Sequence, residues 1–575
     1  MKLSLPAFAA TIVAVALSPA ILSAQKDSAG MVISKRGIVI SSSSIASDVG
    51  ASILRRGGNA VDAAVATAFA LAVTYPGAGN IGGGGFMVVR LKNGSATTID
   101  YRERAPLGST EKMYLDASGK INRSLTATGY LAPGVPGTVR GLALAHKKYG
   151  KLPWRDVVMP AALLATNGFA LDSSLAHSLT REASQAMKGY PASVAAYGKA
   201  DGGEWHAGDT IRLADLGRTL TAIATRGPDA FYTGWIADSI AADMQRNGGL
   251  ITKKDLAAYR ARERAPIRGQ YRGYDIVTMP PPSSGGVAMV EMLNILSHFD
   301  LRKDGRWSAE TLHLLIESMR RAYVDRARYL GDPDFVKMPL ARLTSATYAA
   351  SLASHIDRTK ASSSVDLGKD IVTPTSVATE SDETTQFSIV DKDGNAVSNT
   401  FTLEGGYGSH VVVRGAGFLL NNEMGDFNKK PGETNLQGDI GTRANLIAPG
   451  KRMLSSMTPT IIARNGKLFM VTGSPGGRTI INTVMEVVLN ATGFDMNARE
   501  AVDAPRLHHQ WLPDVAMFER DAIPDSTLAR LRAMGHTAEQ RGRQGDAHTI
   551  IFDAKSRMAY GANDRRSSDS KASAP

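Results

Sequence analysis

The chain of 575 residues contains no cysteine. That absence excludes disulfides, a thiol nucleophile, zinc–thiolate sites and cysteine-linked lipoprotein attachment. Aromatic residues make up only 6% of the chain and nowhere interleave with a compact basic patch, which argues against nucleic-acid binding. The formal charge is nonetheless +12. Its local concentrations, Arg260–Arg264 and Arg320–Arg321, read as a solvated basic surface. Long apolar runs are missing too. The run from about Phe8 to Leu17 falls short of the ~20 residues a spanning helix needs, and two prolines flank it. With Lys2 ahead of it and small residues behind, it reads as a secretory signal in residues 1–24, cut after Ala20 or Ala24. The expectation is a periplasmic or secreted protein with no stable membrane anchor.

What remains has the make-up of a soluble globular protein, with 43% apolar and 21% charged residues. A chain of this size can bury a large core without covalent staples. Val32–Ile40 reads as a short strand and Ile45–Leu54 as a helix stopped by Gly57-Gly58. Asn59 can cap a second helix, Ala60–Val73, which is apolar almost all round and therefore buried. Phe86–Leu91 and Ala96–Tyr101 read as strands joined around Asn93-Gly94. The stretch from about Pro153 to Asn294 reads as mainly helical, with Pro280–Gly286 as a rigid turn before its last helix. Residues 361–383 are rich in Ser, Thr and Asp, the composition of an exposed connector. Beyond it, Gln386–Val390 and Ala396–Thr402 flank Asp391-Lys-Asp-Gly-Asn395, the clearest hairpin in the chain. Pairing through that turn brings Thr384 and Thr402 to within about one residue of register. From Asp564 onward the sequence reads as a frayed polar tail.

Three short matches carry no function. Gly77-Ala-Gly-Asn-Ile-Gly82 fits the dinucleotide fingerprint, but a helix precedes it and a strand follows, the reverse of what a pyrophosphate site requires. Ser109-Thr-Glu-Lys112 fits S-x-x-K without its partner motifs. His508-His509 has no third ligand at metal spacing and reads as a structural or channel-lining pair.

The informative signal is an ordered series of blocks. Gly57-Gly-Asn-Ala-Val-Asp-Ala-Ala64 is followed by Ile81-Gly-Gly-Gly-Gly-Phe-Met87 and Asp100-Tyr-Arg-Glu-Arg-Ala-Pro106. Thr384-Thr-Gln-Phe-Ser388, Leu420-Asn-Asn-Glu-Met-Gly-Asp-Phe427 and Leu454-Ser-Ser-Met-Thr-Pro459 come next. Gly473-Ser-Pro-Gly-Gly477 and Ala504-Pro-Arg-Leu-His-His-Gln-Trp511 close the series. In this order, over residues 32 to 565, they resemble the γ-glutamyltransferase (glutathione hydrolase) family.

The chemistry of the blocks can be weighed residue by residue. A threonine hydroxyl is a weak nucleophile without an adjacent base. A cut before Thr384 would create one, the new α-amine, with a reference pKa of ~7.7–8.0. Gly476 and Gly477 precede an apolar helical run, where backbone N–H groups can form an oxyanion hole. The resemblance implies that the cut between Glu383 and Thr384 is autocatalytic and that Thr402 orients the nucleophile. It implies that Arg102, Ser455 and Ser456 hold the α-carboxylate of a γ-glutamyl group, with Glu423 and Asp426 on its ammonium. Glu404 stands where many members have asparagine, Gly425 where an aspartate is frequent, and Gln386 where histidine is common. Gln437 falls where a gating tyrosine is expected in the loop of residues 428–454.

The fold implied is the α/β four-layer αββα sandwich of the N-terminal nucleophile hydrolases. Segments 25–383 and 384–575 would form a large and a small subunit of one intertwined domain. The partners implied are glutathione and other γ-glutamyl compounds, with water, amino acids or dipeptides as acceptors, and no cofactor or metal. Two rival readings stay open: a glutaryl-type β-lactam acylase on the same scaffold, and an unprocessed, inactive binding homologue.

Overall fold

The computed structural model describes residues 30–373 and 384–575. The signal expected in residues 1–24 and the residue Glu383 lie outside them. Two seven-stranded antiparallel sheets form the centre. One runs Lys571–Ser573, Gly37–Ser41, Thr385–Asp391, Ala396–Thr402, Gly84–Arg90, Ala96–Asp100 and Arg262–Arg264. The other runs Val32–Ser34, Met558–Ala562, Thr549–Asp553, Lys467–Thr472, Thr460–Arg464, Tyr274–Thr278 and Ile267–Tyr271. Both sheets mix strands from before and after Thr384, so neither half of the chain completes a sheet alone.

The layering follows from side-chain alternation along each strand. Ile38 and Ile40 enter the core between the sheets with Val88, Val277, Ile461, Val471 and Ile550. Val39, between them in sequence, faces the other way. It packs with Met87, Val89, Phe387 and Ile389 against helices Ala60–Thr74, Thr138–Tyr149, Trp154–Asn167 and Ala214–Arg226. The opposite face of the second sheet buries Ile276, Ile462 and Met470 under helices Gly285–Leu296, Ala309–Tyr329 and Thr479–Gly493. The result is helix, sheet, sheet, helix. The helix Ala60–Thr74 is buried along its whole length, and Asn59 caps it: its side chain accepts from the N–H groups of Val61 and Asp62. Among the described residues no helix is long and apolar enough to cross a membrane.

Three expectations are corrected. The helical reading of residues 153–294 is interrupted between Ala258 and Gly285, where the helix Gly285–Leu296 resumes it after the expected turn. Arg262–Arg264, Ile267–Tyr271 and Tyr274–Thr278 are strands, the last two closing around Arg272 and Gly273, both at positive φ. The residues from Asp564 are not a frayed tail. Asp564 is fully buried and accepts from Arg506 Nη2 at 2.6 Å, and Lys571–Ser573 pairs with Gly37–Ser41. Arg320 and Arg321 are not solvated surface either: both are buried and pair with Glu317, and Arg320 also pairs with Asp514.

Candidate active site

Thr384 immediately precedes the strand Thr385–Asp391, in which Thr385 pairs with Phe401, so the register carries Thr384 to Thr402. Thr384 is 5% and Thr402 2% exposed. The hydroxyl of Thr402 accepts the N–H of Glu404 at 2.8 Å, and its carbonyl accepts Asn80 Nδ2 at 2.8 Å. The strand end that presents the two hydroxyls is thereby fixed. Glu404 has φ +82, a conformation that costs a non-glycine residue energy and that its neighbours must hold.

A small cavity of about 30 Å³ brings together Arg102, Thr384, Thr402, Glu404, Glu423, Asp426, Ser455, Ser456 and Gly477. Every expected catalytic or binding residue in the described part of the chain lines it except Gly476. That glycine lines a wider cavity, which also opens on Thr384.

Arg102 follows the strand Ala96–Asp100 and is completely buried. Its Nη1 pairs with Glu423 and its Nη2 with Asp426. Its Nε and Nη2 also donate to the carbonyls of Met453 and Leu454, each at 3.3 Å. Glu423–Asp426 is a single 3₁₀ turn, which puts both carboxylates on the guanidinium. Burial lowers the affinity of Arg102 for its proton, but Glu423, Asp426 and Glu103 together more than restore it. The Glu423 carboxyl is pushed well above its ordinary range, by burial first and then by Glu103, Asp426 and Glu404, against the pull of Arg102.

Several supporting residues had no sequence signal of their own. Glu103, inside the Asp100–Pro106 block, is buried 3.7 Å from Arg102, and burial pushes its carboxyl up to about 7. Ser455 is held by the Pro280–Gly286 turn: Ser284 donates to its carbonyl from N at 2.8 Å and from Oγ at 2.6 Å, and Ser455 N donates to Pro282 at 2.9 Å. Arg326 Nη2 donates to Ser456 Oγ at 3.1 Å. Asn445 joins the loop after Phe427 to the site, donating to the Asp426 carbonyl at 2.7 Å and accepting Leu454 N at 2.9 Å. Only the proline-rich turn was visible beforehand, and only as a turn.

Gly476 (φ +127) and Gly477 (φ +54) adopt backbone that a side chain would strain. A Cβ on Gly476 would lie 2.5 Å from Thr479 Oγ1. They lead directly into helix Thr479–Gly493, whose first two N–H groups turn back on the carbonyls of Gly476 and Gly477 at 3.0 and 3.3 Å. A developing oxyanion next to Thr384 would meet the backbone of this turn with the positive end of the helix behind it. Gln437 lines a cavity of about 440 Å³ that also includes Asp426, Leu454, Arg478 and His508. His508 and His509 are both engaged: His508 with Asn482 at 2.7 Å and Gln510 at 2.8 Å, His509 with Asp514 at 3.0 Å.

One group could present metal ligands, and it escaped the sequence because its members are far apart: His313, Glu317 and His536. His313 Nδ1 lies 2.7 Å from His536 Nε2, while Glu317 is paired with Arg320 and Arg321. The carboxylate charge is thus met by two guanidiniums, and none of the three residues lines the cavities at Thr384.

Known proteins resemble the chain over most of its length. Residues 46–574 match the family model described as gamma-glutamyltranspeptidase. A glutathione hydrolase proenzyme of Escherichia coli (strain K12) is 48% identical over 535 residues, covering 93% of this chain and 91% of that protein. The crystal structure of a cephalosporin acylase from Bacillus halodurans superposes with a TM-score of 0.82 at 28% identity, covering 95% of this chain and 97% of that one. That of Helicobacter pylori gamma-glutamyltranspeptidase gives 0.54 at 43% identity, covering 56% of this chain and 91% of that one.

Proposed function

The chain belongs to the gamma-glutamyltranspeptidase family, with the N-terminal nucleophile hydrolase fold, as an autoprocessed γ-glutamyltransferase and glutathione hydrolase; from that premise we propose how its residues carry the reaction. Thr384 Oγ attacks the Glu383 carbonyl, and water hydrolyses the resulting ester. The products are segments 25–383 and 384–575, the second with a free α-amine on Thr384. That amine then takes the Oγ proton as Thr384 attacks the γ-carbonyl of the substrate.

Gly476 and Gly477 stabilise the tetrahedral oxyanion. The leaving amine departs with a proton, and a γ-glutamyl–Thr384 ester remains. Water completes hydrolysis, and an amino acid or dipeptide completes transfer. Arg102, Ser455 and Ser456 take the substrate's α-carboxylate, and Glu423, Asp426 and Glu404 its ammonium. Export by residues 1–24 would put this chemistry in the periplasm or outside the cell.

One observation carries the reading: a strand-end threonine shares one small cavity with a buried guanidinium and three carboxylates. That charge set fits a zwitterion beside a nucleophile. The likeness to a cephalosporin acylase favours a second reading, glutaryl amides as substrate, on the same catalytic residues.

The test is turnover of γ-glutamyl-p-nitroanilide by purified protein, with and without glycylglycine, beside a denaturing gel. Two fragments, nitroaniline release and acceleration by the dipeptide are expected. A single uncut chain without turnover would instead point to an inactive binding homologue.

A further inference from the structure

Glu103 is a buried acid that none of the roles above uses. It follows Arg102 in the chain, is completely buried, and does not line the cavity at Thr384. Its Oε2 is 3.7 Å from Arg102 Nη1, the same nitrogen that Glu423 Oε1 contacts. Asp426 takes Nη2. One guanidinium therefore answers three acids, and only Glu423 and Asp426 of the three face the substrate cavity.

The backbone keeps room for the Glu103 carboxyl. A Cβ on Gly84 would lie 2.6 Å from Glu103 Oε2, and one on Gly134 would lie 3.0 Å from Glu103 Cβ. Gly84 opens the strand Gly84–Arg90 and pairs there with Thr402. What is demanded of it is space, next to the strand end that carries the second hydroxyl of the site.

Space alone does not satisfy a carboxyl. Among the described residues nothing donates a hydrogen bond to either oxygen of Glu103 or to Glu423 Oε2, and all three atoms are buried. The phenols nearby are committed elsewhere. Tyr101 donates to Asn399 Oδ1 at 2.6 Å, Tyr259 to the Arg102 carbonyl at 2.8 Å and Tyr232 to the Pro136 carbonyl at 3.1 Å. A buried acceptor without a donor is costly, and two acids at one buried site do not both ionise cheaply. The carboxyls of Glu103 and Glu423 are within hydrogen-bonding reach of each other. One proton held between them meets both demands.

We propose that Glu103 and Glu423 share one proton beside Arg102. Glu103 is the positioning residue that keeps it, so the guanidinium stays open to the α-carboxylate of a γ-glutamyl group. This rests on the reading of Arg102 as the residue that takes that carboxylate.

The groups facing the pair set the direction of its titration. Arg102 and Asp426 face both carboxyls, Glu404 faces Glu423, and the phenols of Tyr101, Tyr232 and Tyr259 face Glu103. Burial holds the three phenols well above their ordinary range, so they stay neutral. Burial also pushes the Glu103 carboxyl up to about 7, against the pull of Arg102, and lifts Glu423 well above its ordinary range. The proton belongs to the pair and leaves it near neutral pH. Once it is lost, a further full carboxylate competes with the substrate's own for Arg102. The substrate's ammonium gains nothing in return, because Glu103 does not line the cavity. KM for a γ-glutamyl amide then rises with pH, and kcat does not follow. Stability moves in the same direction. The folded chain keeps a proton that the unfolded chain has already released, so stability falls between about pH 5 and pH 8.

The experiment compares the wild type with Glu103→Gln and Glu103→Ala as full chains. It measures kcat and KM for γ-glutamyl-p-nitroanilide from about pH 5.5 to 9, with melting temperatures over the same range. Glutamine keeps a donor for Glu423 and cannot ionise. Its KM is expected to match the wild type within about twofold at pH 6 and to be about 3–10-fold lower at pH 9, with kcat within about twofold throughout. The substrate's own ammonium titrates against both proteins, so the difference between the two profiles is the readout. The wild-type melting temperature should fall relative to that of Glu103→Gln between about pH 5.5 and 8. Alanine removes the donor at every pH, and its KM should be raised on the order of tenfold even at pH 6. If the alanine variant does not fold, glutamine carries the test alone. Superposable KM profiles or superposable melting profiles for wild type and Glu103→Gln would overturn the proposal. So would a tenfold higher KM of the glutamine variant at pH 6. Failure of the γ-glutamyl reading looks different: wild type that turns over no γ-glutamyl amide at any pH. The melting profiles then still decide whether the pair holds a proton.

Discussion

Thr384 and Thr402 face each other at the open end of the hairpin formed by Thr385–Asp391 and Ala396–Thr402. The strand pairing, independent of any bound molecule, puts a second hydroxyl beside that of Thr384. Because Thr402 Oγ1 already accepts the N–H of Glu404, its own proton is directed by a fixed backbone.

From this follows the first prediction. Thr384→Ala remains a single chain and shows no turnover, since the proposed processing and catalysis both use its Oγ. Thr384→Ser keeps a hydroxyl without the methyl group that restricts χ1, and it processes slowly with residual activity, lower by roughly 10–100-fold. Gels and nitroaniline release check both. Normal fragmentation of the alanine variant would move the cut elsewhere.

The second prediction concerns two departures from the family pattern that turn out to be neighbours. A Cβ built on Gly425 would lie 3.5 Å from Glu404 Oε1, an ordinary contact for carbon but a poor one for a second carboxylate. Gly425→Asp adds a like charge beside Glu404, Glu423 and Asp426. It should destabilise the protein by about 1–2 kcal/mol, a partly solvated repulsion. Glu404→Asn in the same chain relieves most of that cost. Denaturant midpoints of the two single variants and the double give the coupling directly, and additive effects would show that the residues do not interact.

Much of this arrangement was legible in the sequence, for identifiable reasons. The Asp391–Asn395 turn and its alternating flanks set a register that carries Thr384 to Thr402, and Asn59 announced a helix start that its side chain indeed caps. Local patterns succeed where the partner is close in the chain. The reading of the last twelve residues failed because Lys571–Ser573 finds its partner strand more than 500 residues away, and polar composition reports propensity rather than partnership. Arg320 and Arg321 misled for a related reason: their counter-charges are Glu317, one helical turn back, and the distant Asp514.

Metal removal is the third prediction. His313, Glu317 and His536 form the one group of metal-ligand geometry among the described residues. Arg320 and Arg321 already neutralise its carboxylate. Prolonged EDTA treatment should leave kcat and the melting temperature unchanged. Loss of either, restored by zinc and abolished in His536→Ala, would assign a metal to that group.

The last prediction separates γ-glutamyl from glutaryl amides, which differ only in the α-ammonium group. Arg102 is shared between Glu423, 1% exposed, and Asp426, whose side chain is 22% exposed. A zwitterion brings its own carboxylate to Arg102 and its own ammonium to the two acids, so the charge balance of the site is preserved. A glutaryl group brings only the carboxylate and competes with Glu423 and Asp426 for one guanidinium. Depriving a buried charge of its partner costs ~3–5 kcal/mol, and the partial exposure of Asp426 places this site toward the lower end. At ~1.4 kcal/mol per factor of ten, γ-glutamyl should be favoured by on the order of 10²–10³ in kcat/KM. Asp426→Asn should shrink that ratio by harming the γ-glutamyl substrate, since the glutaryl compound has no ammonium to lose. The measurement is kcat/KM for the two p-nitroanilides on both proteins. Equal or faster glutaryl turnover by the wild type would transfer the assignment to the acylase reading, with Arg102 still holding the carboxylate and Thr384 still the nucleophile.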